Sequence, residues 1–230
     1  MINIAICIST RNRGDTFYEA LYFHHLYRPD GSRIFIVDDA SNEPYAPADY
    51  RFVERVGIPK VKNKCLELAM DSGAEHIFLF DDDCFPIKDR WHMPYINSGK
   101  HHLCFCFTDA YGDVIERPKP IIKGNIAVYT IGNGCMLYFS RQCIEKVGGF
   151  REDFGLGTYE HVELSRRIKN AGITDYEFMD VVDSHKLLMS LDQAGAIERT
   201  FTPEERLRLL KQNDSLFFAT RNDKNFVPYR

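Results

Sequence analysis

Three consecutive acids, Asp81, Asp82 and Asp83, follow the apolar run Ile77 to Phe80. Carboxylates crowded at the end of a strand repel one another, and a divalent cation relieves that repulsion. Hard oxygen ligands suit Mg²⁺ or Mn²⁺, which share their shells readily with phosphate oxygens. Asp81 and Asp83 lie two apart, so extended backbone would turn both to one side. The plainer reading is a solvated acidic turn. A second acidic pair, Asp38-Asp39, closes the run Arg33 to Val37, which places two acidic strand ends at one edge. Helix capping would explain one such pair as well as ligand binding does. Glu160 and His161 open a helical segment, where a neutral imidazole is favoured over the cation and could take a proton. A capping glutamate beside a surface histidine is the structural alternative.

The elements that must position these groups can be read from the apolar spacing. Short continuous apolar runs, Ile2 to Ile8, Arg33 to Val37 and Ile77 to Phe80, read as strands buried on both faces. Ligands in open α/β sheets bind at the carboxyl edge, where Ser9 to Gly14 forms a loop. Asp15 to Tyr27 has helical spacing, with Phe17, Leu21, His24 and Leu26 as inward candidates. Pro44 to Pro59 reads as irregular. Lys60 to Ser72 reads as an amphipathic helix closed by Gly73. Lys60, Lys62 and Lys64 crowd its start, which opposes the helix dipole unless an anion sits there. Leu103 to Thr108 alternates as a strand, with Cys104 and Cys106 on one face. Glu116 to Gly124, carrying Arg117, Lys119 and Lys123, reads as a loop, and Ile126 to Ile131 as another strand. Gly132 and Gly134 precede a further strand and suit a close approach of backbone to a ligand. A helix follows over Arg141 to Val147, another over Tyr159 to Ala171, and a last strand over Tyr176 to Val182. Thr202-Pro203-Glu204-Glu205 begins a final helix running to about Asn213. Phe217 to Arg230 is expected to form a flexible tail or a lid.

The composition fits one α/β domain. The chain has 230 residues, 44% of them hydrophobic and 27% charged, and a net charge of −4. That balance argues against a surface built mainly for nucleic-acid phosphates, although a local basic groove would survive it. The seven cysteines include no Cys-x-x-Cys pair. This predicts a reduced, cytoplasmic setting with neither disulfide framework nor zinc site. No run is apolar for long enough to span a bilayer, and the amino terminus lacks the basic region of a signal peptide.

In order along the chain, Ile4-Ala-Ile-Cys-Ile-Ser-Thr-Arg-Asn-Arg13, Val37-Asp-Asp-Ala-Ser41, Lys60-Val-Lys-Asn63 with Leu66-Glu-Leu-Ala69, Phe78-Leu-Phe-Asp-Asp-Asp83, and Val147-Gly-Gly-Phe150 followed by Tyr159-Glu-His161 resemble the motifs of family-two glycosyltransferases. The resemblance spans roughly residues 2–185. It implies a single GT-A (Rossmann-like) domain over residues 1–190, with a mostly parallel central sheet flanked by helices. Residues 191–230 would add a C-terminal helix and tail packed on the same domain. It further implies an inverting transfer from a nucleoside-diphosphate sugar, with a UDP-sugar favoured. Thr10, Arg13, Asp39, Lys60, Asn63, Asp81, Asp82 and Gly134 would bind the donor, and Lys62 could share the phosphate role of Lys60. Asp83 and His185 would hold Mn²⁺ or Mg²⁺. The family places Glu-Asp where this chain has Glu160-His161, so either of these two could be the base.

The reaction expected from these motifs is sugar transfer to an acceptor hydroxyl of a glycan, a lipid-linked sugar, a protein or a modified nucleic-acid base. A nucleotidyltransferase on the same acids is the alternative enzyme, distinguished by pyrophosphate release. A non-catalytic nucleotide-sugar binder is the third reading, motivated by the altered base pair.

Overall fold

The computed structural model describes residues 3–45, 47–106, 119–191 and 201–230. Strand β1 (Ile4–Thr10) leads into helix α1 (Gly14–Leu26), then β2 (Arg33–Asp38), the short β3 (Tyr50–Arg51) and α2 (Ile58–Asp71). Next come β4 (His76–Asp81), β5 (Cys84–Pro86), α3 (Met93–Asn97) and β6 (His102–Cys104). Strands β7 (Ile121–Lys123), β8 (Ile126–Tyr129) and β9 (Met136–Ser140) precede α4 (Arg141–Val147) and α5 (Glu160–Asn170). The chain closes with β10 (Phe178–Val181), β11 (Leu188–Ser190) and α6 (Pro203–Ala219).

Six described strands form the central sheet in the order β3-β2-β1-β4-β9-β6. β3, β2, β1 and β4 run parallel, and β9 runs antiparallel between β4 and β6. The three strand ends of greatest interest are thereby neighbours: Ser9 pairs with Val37 on one side and Asp81 on the other. Alternate residues feed two cores. Ala5, Cys7, Ile77 and Leu79 pack with Val61, Cys65 and Leu66 of α2 and Leu164 and Ile168 of α5. Ile6, Ile8, Phe78 and Phe80 pack on the opposite face with Phe17 and Leu21 of α1 and with Trp91 and Tyr95. The period of two in the strands is what allows both faces to be covered. All seven cysteines carry free thiols, and Cys104 and Cys106 share one core.

Several expected boundaries move. Leu26 is exposed, because α1 ends there and only Phe17, Ala20, Leu21 and His24 face inward. The segment expected to be irregular up to Pro59 already contains β3 and the first turn of α2. Residues 121–123 of the expected basic loop pair as β7 with β8, while Thr108 and Arg117 lie outside the described residues. Helix α6 runs six residues past Asn213 to Ala219, behind a capping box of Thr202 and Glu205. The final residues pack on the fold: Val227 bridges Gly148, and Arg230 pairs with Asp71.

Candidate active site

The parallel strands end at a cavity of about 490 Å³, within the range of small-molecule sites. Its floor is the acidic turn. Asp81 closes β4, but Asp82 and Asp83 form a tight turn into β5, not extended backbone. The three acids therefore do not alternate as in a strand, and each has its own cation or donor. Thr10 Oγ1 donates to Asp82 Oδ2 at 2.7 Å. The Arg13 guanidinium bridges Asp82 and Asp83, reaching Asp83 Oδ2 at 3.0 Å. Burial pushes the Asp82 carboxyl above its usual range, and the Arg13 charge and Thr10 hydrogen bond recover only part of that. Burial disfavours the Arg13 cation, but Asp82, Asp83 and Asp81 together outweigh this and hold its proton more firmly.

Lys62 joins the two halves of the site. Its buried ammonium lies 3.0 Å from Asp81 Oδ1 and donates to the Gly134 carbonyl at 2.8 Å. Burial opposes its charge, but Asp81 and then Glu160 more than restore it, so its pKa is raised. Across the cavity, Glu160 and His161 open α5. Glu160 is 4% exposed, and its Oε1 faces His161 Nδ1 at 3.2 Å. Burial alone would raise the Glu160 carboxyl. The hydrogen bond and charge of His161, with the charge of Lys62, bring it down to about 2. Thr158 and Tyr159, just before α5, both hold positive φ, at 76° and 64°. Such backbone stores on the order of 1–3 kcal/mol per residue and concentrates at functional sites.

The residues expected to bind the donor, hold the metal or act as base fall into two groups. Thr10, Arg13, Asp39, Asp81, Asp82, Asp83, Gly134, Glu160 and His161 all line the cavity. Asp39 also accepts from the amides of Val56 (2.7 Å) and Gly57 (3.2 Å) at the start of α2. The anion expected at that basic helix start is thus the chain's own carboxylate. Asp38 is fully buried and holds its own turn through Ser41. Lys60, Asn63 and His185, also expected at the site, do not line this cavity. Lys60 is on the exposed side of α2. Asn63 is buried and spends its amide on Phe150 and Glu152, bracing the Gly148-Gly149 loop. His185 sits in a 3₁₀ turn beyond β10. It is Ser190 that pairs with Cys84 beside the acidic turn.

Residues that no motif singled out also line the cavity: Arg11, Arg55, Asn133, Ser190, Phe201 and Arg206. Asn133 lay within a noticed glycine pair. Phe201 and Arg206 flank the capped helix start at Thr202 to Glu205, a signal of a helix and not of a ligand. Arg55 stacks over Phe201 at 4.9 Å, so the start of α6 closes one end of the cavity.

Among the described residues, no group of three or more histidine, cysteine or acidic side chains is placed to ligate a metal by itself. The hard carboxylates of Asp81 and Asp83 still fit Mg²⁺ or Mn²⁺. Such ions are typically held by one or two carboxylates and completed by a ligand's phosphates. The described residues include no helix long and apolar enough to cross a membrane.

No family model matches the chain. A protein described as an uncharacterised glycosyltransferase of Acanthamoeba polyphaga mimivirus is 26% identical over 195 residues, which are 75% of this chain and 73% of its own. GalNAc-T7, solved with UDP, GalNAc and Mn²⁺, superposes with a TM-score of 0.64 at 13% identity, covering 100% of this chain and 52% of its own. The mannosyltransferase PcManGT from Pyrobaculum calidifontis, solved with GDP-Man and Mn²⁺, gives 0.54 at 16% identity over 74% of this chain and 52% of its own. The chain spans about half the length of those two enzymes. It has the GT-A fold of these structures, and a curated relative carries the name glycosyltransferase.

Proposed function

We propose that the chain is a metal-dependent, inverting glycosyltransferase that uses a nucleoside-diphosphate sugar, a UDP-sugar first among candidates. The observation that carries this reading is the convergence, in one cavity, of the Asp81–Asp83 turn with the Glu160–His161 pair, joined by Lys62. Asp39, Thr10 and Arg13 would hold the nucleotide. Asp83 and Asp81 would hold Mn²⁺ or Mg²⁺ with the diphosphate oxygens, and the ion would supply positive charge to the departing diphosphate. Glu160 orients the imidazole through Nδ1, which leaves Nε2 to take the acceptor's hydroxyl proton. The acceptor oxygen bonds to the anomeric carbon as the bond from that carbon to the phosphate oxygen breaks. Positioning and fixed charge contribute the rest. The contact engages Glu160 Oε1 and His161 Nδ1, which favours His161, acting through Nε2, over Glu160 as the base.

The test is a thermal-shift screen of UDP- and GDP-sugars, with and without Mn²⁺, on the wild type and Asp83→Asn. Binding to the folded state raises the melting temperature by mass action. A shift that needs both the metal and Asp83 is expected, followed by nucleoside-diphosphate release that His161→Ala lowers by about a hundredfold or more. Stabilisation by nucleoside triphosphates alone, with pyrophosphate released, would replace this reading with a nucleotidyltransferase.

A further inference from the structure

Among the described residues, three buried polar atoms lining the cavity have no hydrogen-bond partner: Asn133 Nδ2, Ser190 Oγ and Glu160 Oε2. Ser190 is 1% exposed and Glu160 4% exposed. Buried polar groups are almost always paired, so several unpaired ones around one cavity describe the ligand that pairs them. Arg13 and Arg55 each leave an Nε unpaired as well. Those two are cationic donors: Arg13 pairs with Asp82 and Asp83, and Arg55 lies in the field of Asp39.

The three neutral-or-acidic groups come from separate segments that meet at the cavity: the stretch before β9, the start of α5 and the end of β11. Asn133 precedes Gly134, whose position is so close to His161 that a Cβ there would lie 2.9 Å from Nδ1. Cys135 follows, and its carbonyl accepts from the Asp81 amide at 2.8 Å. Ser190 pairs with Cys84, immediately after the acidic turn, and Leu191 N donates to the Asp83 carbonyl at 2.8 Å. The unpaired atoms thus surround the passage between the Asp81–Asp83 turn and the Glu160–His161 pair.

Their chemistry is selective. Asn133 Nδ2 can only donate, the ionised Glu160 Oε2 can only accept, and the Ser190 hydroxyl can do both. Phosphate oxygens only accept, so a phosphate would leave Glu160 unpaired and facing a like charge. A hydroxyl both donates and accepts, and a ligand carrying several of them satisfies all three. We infer that Asn133, Ser190 and Glu160 form the subsite that reads the hydroxyls of the transferred sugar, with Asn133 and Ser190 as specificity-determining residues. The inference rests on the glycosyltransferase reading.

Calorimetric titration in Mn²⁺ separates the sugar from the nucleotide. UDP is compared with UDP-glucose, and GDP with GDP-mannose, on the wild type, Ser190→Ala and Asn133→Ala, with circular-dichroism melts to confirm folding. The two substitutions are on separate elements, so a folding failure in one leaves the other to decide. Each variant is expected to lose roughly five- to tenfold in affinity for the nucleotide-sugar, the effect of one neutral hydrogen bond. Affinity for the bare nucleotide should stay within about twofold of wild type. Equal losses for nucleotide and nucleotide-sugar would mean a phosphate contact and overturn the inference, as would no loss in either folded variant. A wild type that binds UDP or GDP and gains nothing from the sugar overturns it while leaving a nucleotide site. A wild type that binds none of the four overturns the glycosyltransferase reading as well.

Discussion

Lys62 shows how much of this site depends on one buried charge. Its side chain is 2% exposed, and it faces Asp81 directly and Glu160 through the field between them. Removing it would leave two acids poorly compensated. Breaking a buried pair from one side costs about 3–5 kcal/mol and an exposed pair contributes little, so this pair, whose Asp81 side chain is 33% exposed, falls between them at about 2 kcal/mol. Lys62→Met is therefore expected to lower unfolding stability by about that much in urea, and an unchanged midpoint would mean that Asp81 and Glu160 do not depend on its charge. Glu160 carries the matching pH signature. Its pKa falls from an ordinary 4.5 to about 2, so its contribution is complete above about pH 4.5 and fades as pH drops toward 2. The interval corresponds to about 3 kcal/mol, which Glu160→Gln should remove from the acid side of the stability profile. The same depression bears on catalysis. Glu160 holds no proton near neutrality, so His161→Gln should lower kcat/KM with no compensating pH limb from Glu160 there.

At the level of elements, the close approach of Gly134 to the start of α5 is the sharpest constraint. A Cβ on Gly134 would stand 2.9 Å from His161 Nδ1 and 3.0 Å from its Cγ, so the imidazole must yield. Gly134→Ala should retain the fold and lower nucleoside-diphosphate release by about a hundredfold, the scale of losing a general base. Wild-type turnover in that variant would show that His161 has another place from which to act. Much of this arrangement was legible in the sequence. The strands announced themselves as buried apolar runs, and the acids at their ends follow from a parallel sheet that aligns those ends. Lys62 was legible too, on a closer count. It lies with Cys65, Leu66 and Ala69 on one helical face, all of them buried, whereas Lys60 and Lys64 point elsewhere. A lysine on an apolar stripe is a buried charge awaiting a partner. Asn63 was not legible, because its role depends on the Gly148–Phe150 loop arriving from more than eighty residues away. Nor was Ser190, since only the pairing of β11 with β5 brings it, in place of His185, to the acidic turn.

The molecule as a whole carries −4, yet the cavity lining is balanced: Arg11, Arg13, Arg55, Lys62 and Arg206 face Asp39, Asp81, Asp82, Asp83 and Glu160. A divalent cation paired with a doubly charged nucleotide-sugar preserves that balance, which neither partner alone would do. This favours joint binding of donor and metal over separate binding. The balance also requires α6, because Arg206 arrives with it. Helix α6 further holds the backbone that presents His161. Asn213 Nδ2 donates to the Phe154 carbonyl (3.0 Å), the Gly157 carbonyl (2.8 Å) and Thr158 Oγ1 (3.0 Å), two protons shared among three acceptors. Tyr159 stacks on Phe217 at 4.3 Å, and its hydroxyl donates to Asp214 at 2.7 Å. These contacts hold Thr158 and Tyr159 in left-handed backbone, a conformation both residues would leave if released. Asn213→Ala removes the central clamp, and of its three acceptors Thr158 alone lines the cavity. The loop should relax and turn Glu160 and His161 away from the Asp81–Asp83 turn, while the nucleotide side stays as it is. We expect kcat for nucleoside-diphosphate release to fall about tenfold or more, because small misplacements of a positioned base have large effects on rate. The calorimetric affinity for UDP should remain within about twofold. If affinity fell with kcat, α6 would be holding the nucleotide itself. If neither changed, the strained loop would be fixed by the core beneath it and not by the helix above.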